Sequence, residues 1–154
     1  MKREVNFLDK LGSLIPGYNG YSERESRRNC DKLLRQTMTK KLDDVEKKIS
    51  NRIDESINNK DLDSMRKFES CRKDLNTLIS EIKYAPYGAS ALFTDMQLKE
   101  DELEQVYKYD IAMMELANHL ESNYATCEAN HMIDSTNLLR SKLKERNEFI
   151  SNYK

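Results

Sequence analysis

Helix breakers are scarce in this chain. Its 154 residues include four glycines and two prolines. Five of these six fall in two short segments, Pro16-Gly17 with Gly20, and Pro86 with Gly88. Elsewhere helices can run long distances without interruption. Tryptophan is absent. No apolar run approaches the roughly 18 residues of a membrane span. Asp9 and Lys10 interrupt the N-terminal apolar residues, which speaks against a secretory leader and makes the cytoplasm the expected location. Cys30, Cys71 and Cys127 form no Cys-x-x-Cys pair, so a zinc knuckle or thioredoxin-type motif has no basis. They read as small apolar residues in a reducing compartment. An excess of one charge sign is also missing: the net charge is −1, which argues against a globally basic nucleic-acid binder. There is no glycine-rich phosphate loop and no Gly-x-Ser-x-Gly, so no catalytic residues are assigned.

What is abundant is charge in helical register. Charged residues make up 34% and hydrophobic residues 38%, leaving a thin core for one domain spanning 1–154. Elongated helices that each bury one stripe suit that balance. Residues 4–15 carry Phe7, Leu8, Leu11, Leu14 and Ile15 on one face, a short N-terminal helix that docks on a bundle or lies on a membrane surface. Residues 16–21 are a Pro/Gly/Tyr turn. Ser22 with Glu25 matches a capping box and opens a helix over 22–58. Its stripe is Cys30, Leu34, Met38, Leu42, Val45, Ile49, Ile53 and Ile57. After 58–61 a second helix carries Leu62, Met65, Phe68, Arg72, Leu75, Ile79 and Ile82, completing a hairpin over 22–84. Residues 85–98 form a Pro/Tyr/Gly loop with one short turn around Leu92 and Phe93.

Residues 99–154 lack glycine and proline. They form one long helix or two, with Leu103, Tyr107, Met114, Ala117, Leu120, Tyr124, Met132, Leu139, Leu143 and Ile150 inward. The weakest stretch is 134–137, Asp-Ser-Thr-Asn. The expected fold is therefore all-α: an elongated antiparallel three-helix bundle, its third helix continuous or broken, with the short N-terminal helix added.

Between residues 24 and 41 seven basic side chains face two acidic ones. Between 95 and 121 eight acidic side chains face two basic ones. Side-by-side helices would pair these stretches; a homodimer contact or a docking patch for an acidic partner are the other arrangements.

The run Leu14-Ile15-Pro16-Gly17-Tyr18-Asn19-Gly20-Tyr21, continued by Glu23, Glu25, Arg27, Arg28, Asp31, Lys32, Leu33, Leu34 and Arg35, resembles an uncharacterised family of bacterial helical proteins with an Ile-Pro-Gly-Tyr-x-Gly-Tyr turn before a charged helix. Ala85-Pro86-Tyr87-Gly88 with Leu92, Phe93 and Asp95 is similar to a second patch of that family. The resemblance covers about a fifth of the chain. It implies a bacterial, cytoplasmic, helical protein and no activity.

Three functions remain. The first is a non-enzymatic protein-interaction or adaptor module. Tyr18, Tyr21, Pro86 and Tyr87 would supply rigid amphipathic contact area, and Arg24, Arg27, Arg28 and Arg35 a basic face; the same rings could instead cap the core. The second is a metal-binding bundle. Glu128 and His131 share a helical face as Glu-x-x-His, and Glu115 and His119 share one at i, i+4. On one continuous helix the two histidines lie about 18 Å apart, so sharing an ion requires the chain to fold back between them. The third is a peripheral membrane adaptor using residues 4–15 and the basic stretch. No cofactor is expected.

Overall fold

The computed structural model describes residues 2–84 and 99–152. Among them run five α-helices: α1 (Lys2–Leu14), α2 (Arg27–Asn58), α3 (Leu62–Tyr84), α4 (Glu100–Asn123) and α5 (Ala129–Asn152). No strand occurs among the described residues, and no described helix is long and apolar enough to cross a membrane. The loop expected over 85–98, with Pro86, Tyr87 and the turn expected around Leu92 and Phe93, lies outside the described residues.

The expected three-helix bundle is replaced by one built on four long helices. The third helix is two, split at 124–128. The break comes well before the Asp-Ser-Thr-Asn stretch because that stretch is held inside α5. Ser135 and Thr136 are buried. Thr136 Oγ1 donates to the Met132 carbonyl at 2.8 Å and lies 3.7 Å from Cys71 Sγ. A hydroxyl satisfied by its own helix backbone does not terminate that helix.

α2 packs against α3 and α4, α5 packs against the same two, and α1 lies on α4. The directions follow from side-chain contacts. Arg72 pairs with Glu46 at 3.4 Å and Lys83 with Asp43 at 3.7 Å, so α2 and α3 are antiparallel. Lys41 pairs with Glu121 at 3.2 Å, deeper along both helices than Asp31 and Asp110, which both pair with Arg146, so α2 and α4 are parallel. That pair is also one direct link between the basic and acidic stretches.

The stripes behave as helical periodicity requires. Cys30, Leu34, Met38, Leu42, Val45 and Ile49 are buried. On α3 the inward residue is Cys71, not Arg72; the guanidinium pairs with Glu46 and Glu69 instead. Ile57 and Leu62, at the end of the hairpin, are 51% and 55% exposed because the stripe outruns its neighbours. Leu11 and Ile15 are fully buried, with Phe7, Leu8 and Leu14 packed against the same core.

The capping box at Ser22 and Glu25 does not open α2. A 3-10 turn, Arg24–Ser26, precedes it. Ser26 Oγ donates to the Gly20 and Glu23 carbonyls, both at 2.9 Å. The helix begins where the preceding turn is tied down.

Candidate functional site

The turn after α1 is fixed by glycine. Gly17 and Gly20 have φ of +86° and +90°, a region that favours glycine. A Cβ on Gly20 would lie 2.5 Å from both Tyr107 Oη and Leu8 Cδ2. The backbone of the turn is bonded at almost every step. Tyr18 N–H donates to the Ile15 carbonyl at 3.1 Å. Asn19 N–H donates to Cys30 Sγ at 3.3 Å, and Tyr21 N–H to Tyr107 Oη at 3.0 Å. Arg27 Nε donates to the Tyr21 carbonyl at 2.9 Å.

So positioned, Tyr18 and Tyr21 point inward. Their rings meet edge to face with centroids 5.7 Å apart, and Tyr21 stacks on Tyr107 at 5.8 Å. Both hydroxyls donate to Asp110 Oδ2, at 2.7 and 2.6 Å. Arg146 Nε donates to Asp110 Oδ1 at 2.7 Å. Arg146 Nη2 reaches Asp31 Oδ1 at 2.8 Å and Tyr21 Oη at 3.1 Å. Asp31 Oδ2 lies 2.8 Å from Arg35 Nε, an ion pair without hydrogen-bond alignment. Arg35 Nη1 donates to the Ile82 carbonyl at 3.0 Å. One polar cluster thus joins the turn, α2, α3, α4 and α5.

Its members are sealed: Asp31, Asp110 and Arg146 are at most 1% exposed. Burial, then the nearby Asp110 charge, pushes the Tyr18 and Tyr21 hydroxyls well above the usual phenol range. Both remain donors. Burial pushes the Asp110 carboxyl up, while Arg146 and the two hydroxyls pull it back. Burial opposes the Arg146 charge, but Asp110, Tyr21 and Asp31 together outweigh it and raise its pKa. Ion pairs of this kind contribute little net stability, yet removing one partner leaves an uncompensated charge.

Of the two roles expected for Tyr18 and Tyr21, the rings cap the core and do not face a partner. Tyr18, Tyr21 and Arg27 are at most 4% exposed; the bundle end needs apolar cover, and Asp110 beneath it supplies the acceptor that buried tyrosines require. Arg28 is exposed and Arg35 half-buried. The side chain of Arg24 and both Pro86 and Tyr87 lie outside the described residues. Asp110 and Arg146 went unrecognised as site residues, although both occupy core positions of their stripes. Asp110 falls between Tyr107 and Met114, and Arg146 between Leu143 and Ile150. A charge in core register is the available signal.

Two surface features bear on the expected sites. Lys32, Arg35, Gln36, Thr39 and Lys83 line a cleft of about 340 Å3 between α2 and α3. Among the described residues no carboxylate lines it. At the opposite end, the break at 124–128 folds the chain back and brings His119 Nε2 within 2.7 Å of His131 Nε2. The carboxylates expected beside them form no metal-ligand group with them among the described residues. Glu115 pairs with Lys10, and Glu128 lines a cleft with Arg52, Lys67 and Phe68. Among the described residues no group of three histidine, cysteine or acidic side chains is placed to hold a metal ion.

Comparison with protein-family models, with curated proteins and with solved structures finds no match to this chain.

Proposed function

We propose that the chain is a non-enzymatic protein-interaction module that receives an acidic segment of a partner protein in the cleft between α2 and α3. The observation that carries this reading is the lining: three cations and two neutral polar residues, with no carboxylate among them. Arg35 is held in place by Asp31 and the Ile82 carbonyl, so its guanidinium loses little freedom on contact. Lys32 extends from an exposed position on one side, and Lys83, exposed on the other, pairs with Asp43 at 3.7 Å, a surface contact that an acidic segment can replace. A patch of three cations suits a short acidic peptide better than a nucleic acid, whose binding usually engages six to ten phosphates.

The buried cluster supports the non-enzymatic part of the reading. Its ionisable groups face one another inside the bundle, and no solvent path reaches Asp31 or Asp110 at 0% exposure. We further infer that the Ile-Pro-Gly-Tyr-x-Gly-Tyr turn and the charged helix after it are a folding motif. The membrane alternative is less well supported, because α1 uses Phe7, Leu8, Leu11, Leu14 and Ile15 against the core.

The test is photo-crosslinking from position 36 in the native cell, comparing the wild-type surface with a Lys32→Glu/Lys83→Glu variant of unchanged helicity. Salt-sensitive crosslinks to an acidic segment, lost in the variant, are expected. Crosslinks that persist unchanged in the variant would overturn the assignment of the cleft.

A further inference from the structure

We propose that His119 and His131 form a two-histidine site for a late first-row divalent cation, copper(II), nickel(II) or zinc(II), that clamps the end of α4 to the start of α5. Imidazole is the side chain suited to these ions. The two rings come from opposite sides of the 124–128 turn, and their Nε2 atoms are 2.7 Å apart. The ring centroids are 5.0 Å apart and the planes cross at 67°. Both side chains are exposed, so the rings can part and water can fill the remaining coordination positions.

The metal-free contact is a hydrogen bond whose direction can be read. Asn123 Nδ2 donates to the His119 carbonyl at 2.8 Å and lies 3.2 Å from His119 Nδ1. An amide nitrogen carries two hydrogens, and here each has an acceptor. His119 Nδ1 therefore accepts, its ring proton sits on Nε2, and that proton points at the lone pair of His131 Nε2. An ion would take the position of this shared proton. Two nitrogens about 2.0–2.1 Å from a tetrahedral ion lie roughly 3.3 Å apart, so the rings need separate by only about 0.6 Å.

Ligation uses the Nε2 lone pair of each neutral ring, so the His119 proton moves from Nε2 to Nδ1 and none is lost overall. Asn123 keeps its bond to the His119 carbonyl, and at this exposed position water accepts from Nδ1–H, one of the acceptors that orient metal-ligating histidines. With Glu115 paired to Lys10 and no third ligating side chain grouped with the two rings among the described residues, the protein supplies two ligands and the site stays open.

The test is titration of the full chain, carrying no affinity tag, with copper(II), nickel(II) and zinc(II) chlorides by calorimetry, together with the melting temperature. One saturable equivalent is expected, tightest for copper(II), with a rise in melting temperature as the bound state is favoured. His119→Gln and His131→Gln, each at a solvent-exposed position, should weaken binding at least about tenfold and remove the rise. Absence of saturable binding for all three ions, or binding undiminished in both variants, would overturn the proposal.

Discussion

The two ends of the bundle solve the same problem with opposite chemistry. Each must close off a stripe of apolar side chains where the helices run out. At one end the chain folds the 15–26 turn over the core and ties it to a buried carboxylate and guanidinium. At the other, Ile57 and Leu62 stay about half exposed, Arg52 Nη1 reaches the Tyr124 carbonyl at 2.8 Å, and two histidines meet in solvent. The first end is over-determined; the second is held by contacts that water can replace. Sequence changes should therefore be costly at one end and mild at the other.

The largest effect is expected at Asp110 and Arg146. Arg146→Ala leaves Asp110 buried without a cation, which costs about 3–5 kcal/mol, a large fraction of the stability of a domain this size; Asp110→Ala should cost less, because Arg146 keeps Asp31 at 2.8 Å. Urea denaturation followed by circular dichroism measures it. Replacing the cluster as a whole, with Asp31→Leu, Asp110→Leu, Arg146→Met, Tyr18→Phe and Tyr21→Phe, should recover much of that loss, since an apolar set of similar volume often matches a buried ion network. A multiple variant no more stable than Arg146→Ala would show that the network itself holds this end together.

Next comes the pair Tyr18→Phe/Tyr21→Phe, which leaves Asp110 Oδ2 without its two donors and should cost about 1–3 kcal/mol. The pH dependence carries the sign. Both hydroxyls are raised in the folded state, so above about pH 10 the unfolded chain loses phenolic protons that the fold keeps. Their contribution is complete below that pH and declines as pH rises through it. Alkaline melting curves should fall steeply for the wild type and less so for the double variant; parallel curves would mean that the hydroxyls are not protected.

How much of this was legible in the sequence depends on the residue. The stripe of α2 was readable at Cys30, Leu34, Met38, Leu42, Val45 and Ile49, because a long breaker-free helix leaves little freedom in register. The break at 124–128 was not, because no glycine or proline marks it. Thr136, which looked like a weak point, bonds to its own helix. The turn was legible but left two directions open, because an Ile-Pro-Gly-Tyr-x-Gly-Tyr run looks the same whether its rings point in or out. The deciding residue, Asp110, is 89 positions from Tyr21, and no local pattern links them.

The glycines separate the two kinds of backbone. Gly20→Ala combines a left-handed φ with a clash against Tyr107 and should cost about 1–3 kcal/mol. Gly12→Ala, inside α1 with its nearest neighbour the Tyr18 carbonyl at 3.9 Å, should stabilise by about 0.5–1 kcal/mol. Thermal melts of the two variants are the check. A gain at Gly20, or a loss at Gly12, would mean that the turn is not fastened as the contacts describe.

The smallest effect belongs to the open end. With a chelator present, His119→Ala removes one hydrogen bond between exposed rings, and the released groups of His131 and Asn123 turn to water. Surface substitutions of this kind change stability within about 0.5 kcal/mol. A loss above about 1 kcal/mol in metal-free buffer would show that the histidine contact already fastens α4 to α5 by itself. The two ends would then both be held by specific polar contacts, and the difference between them would lie in solvent access alone.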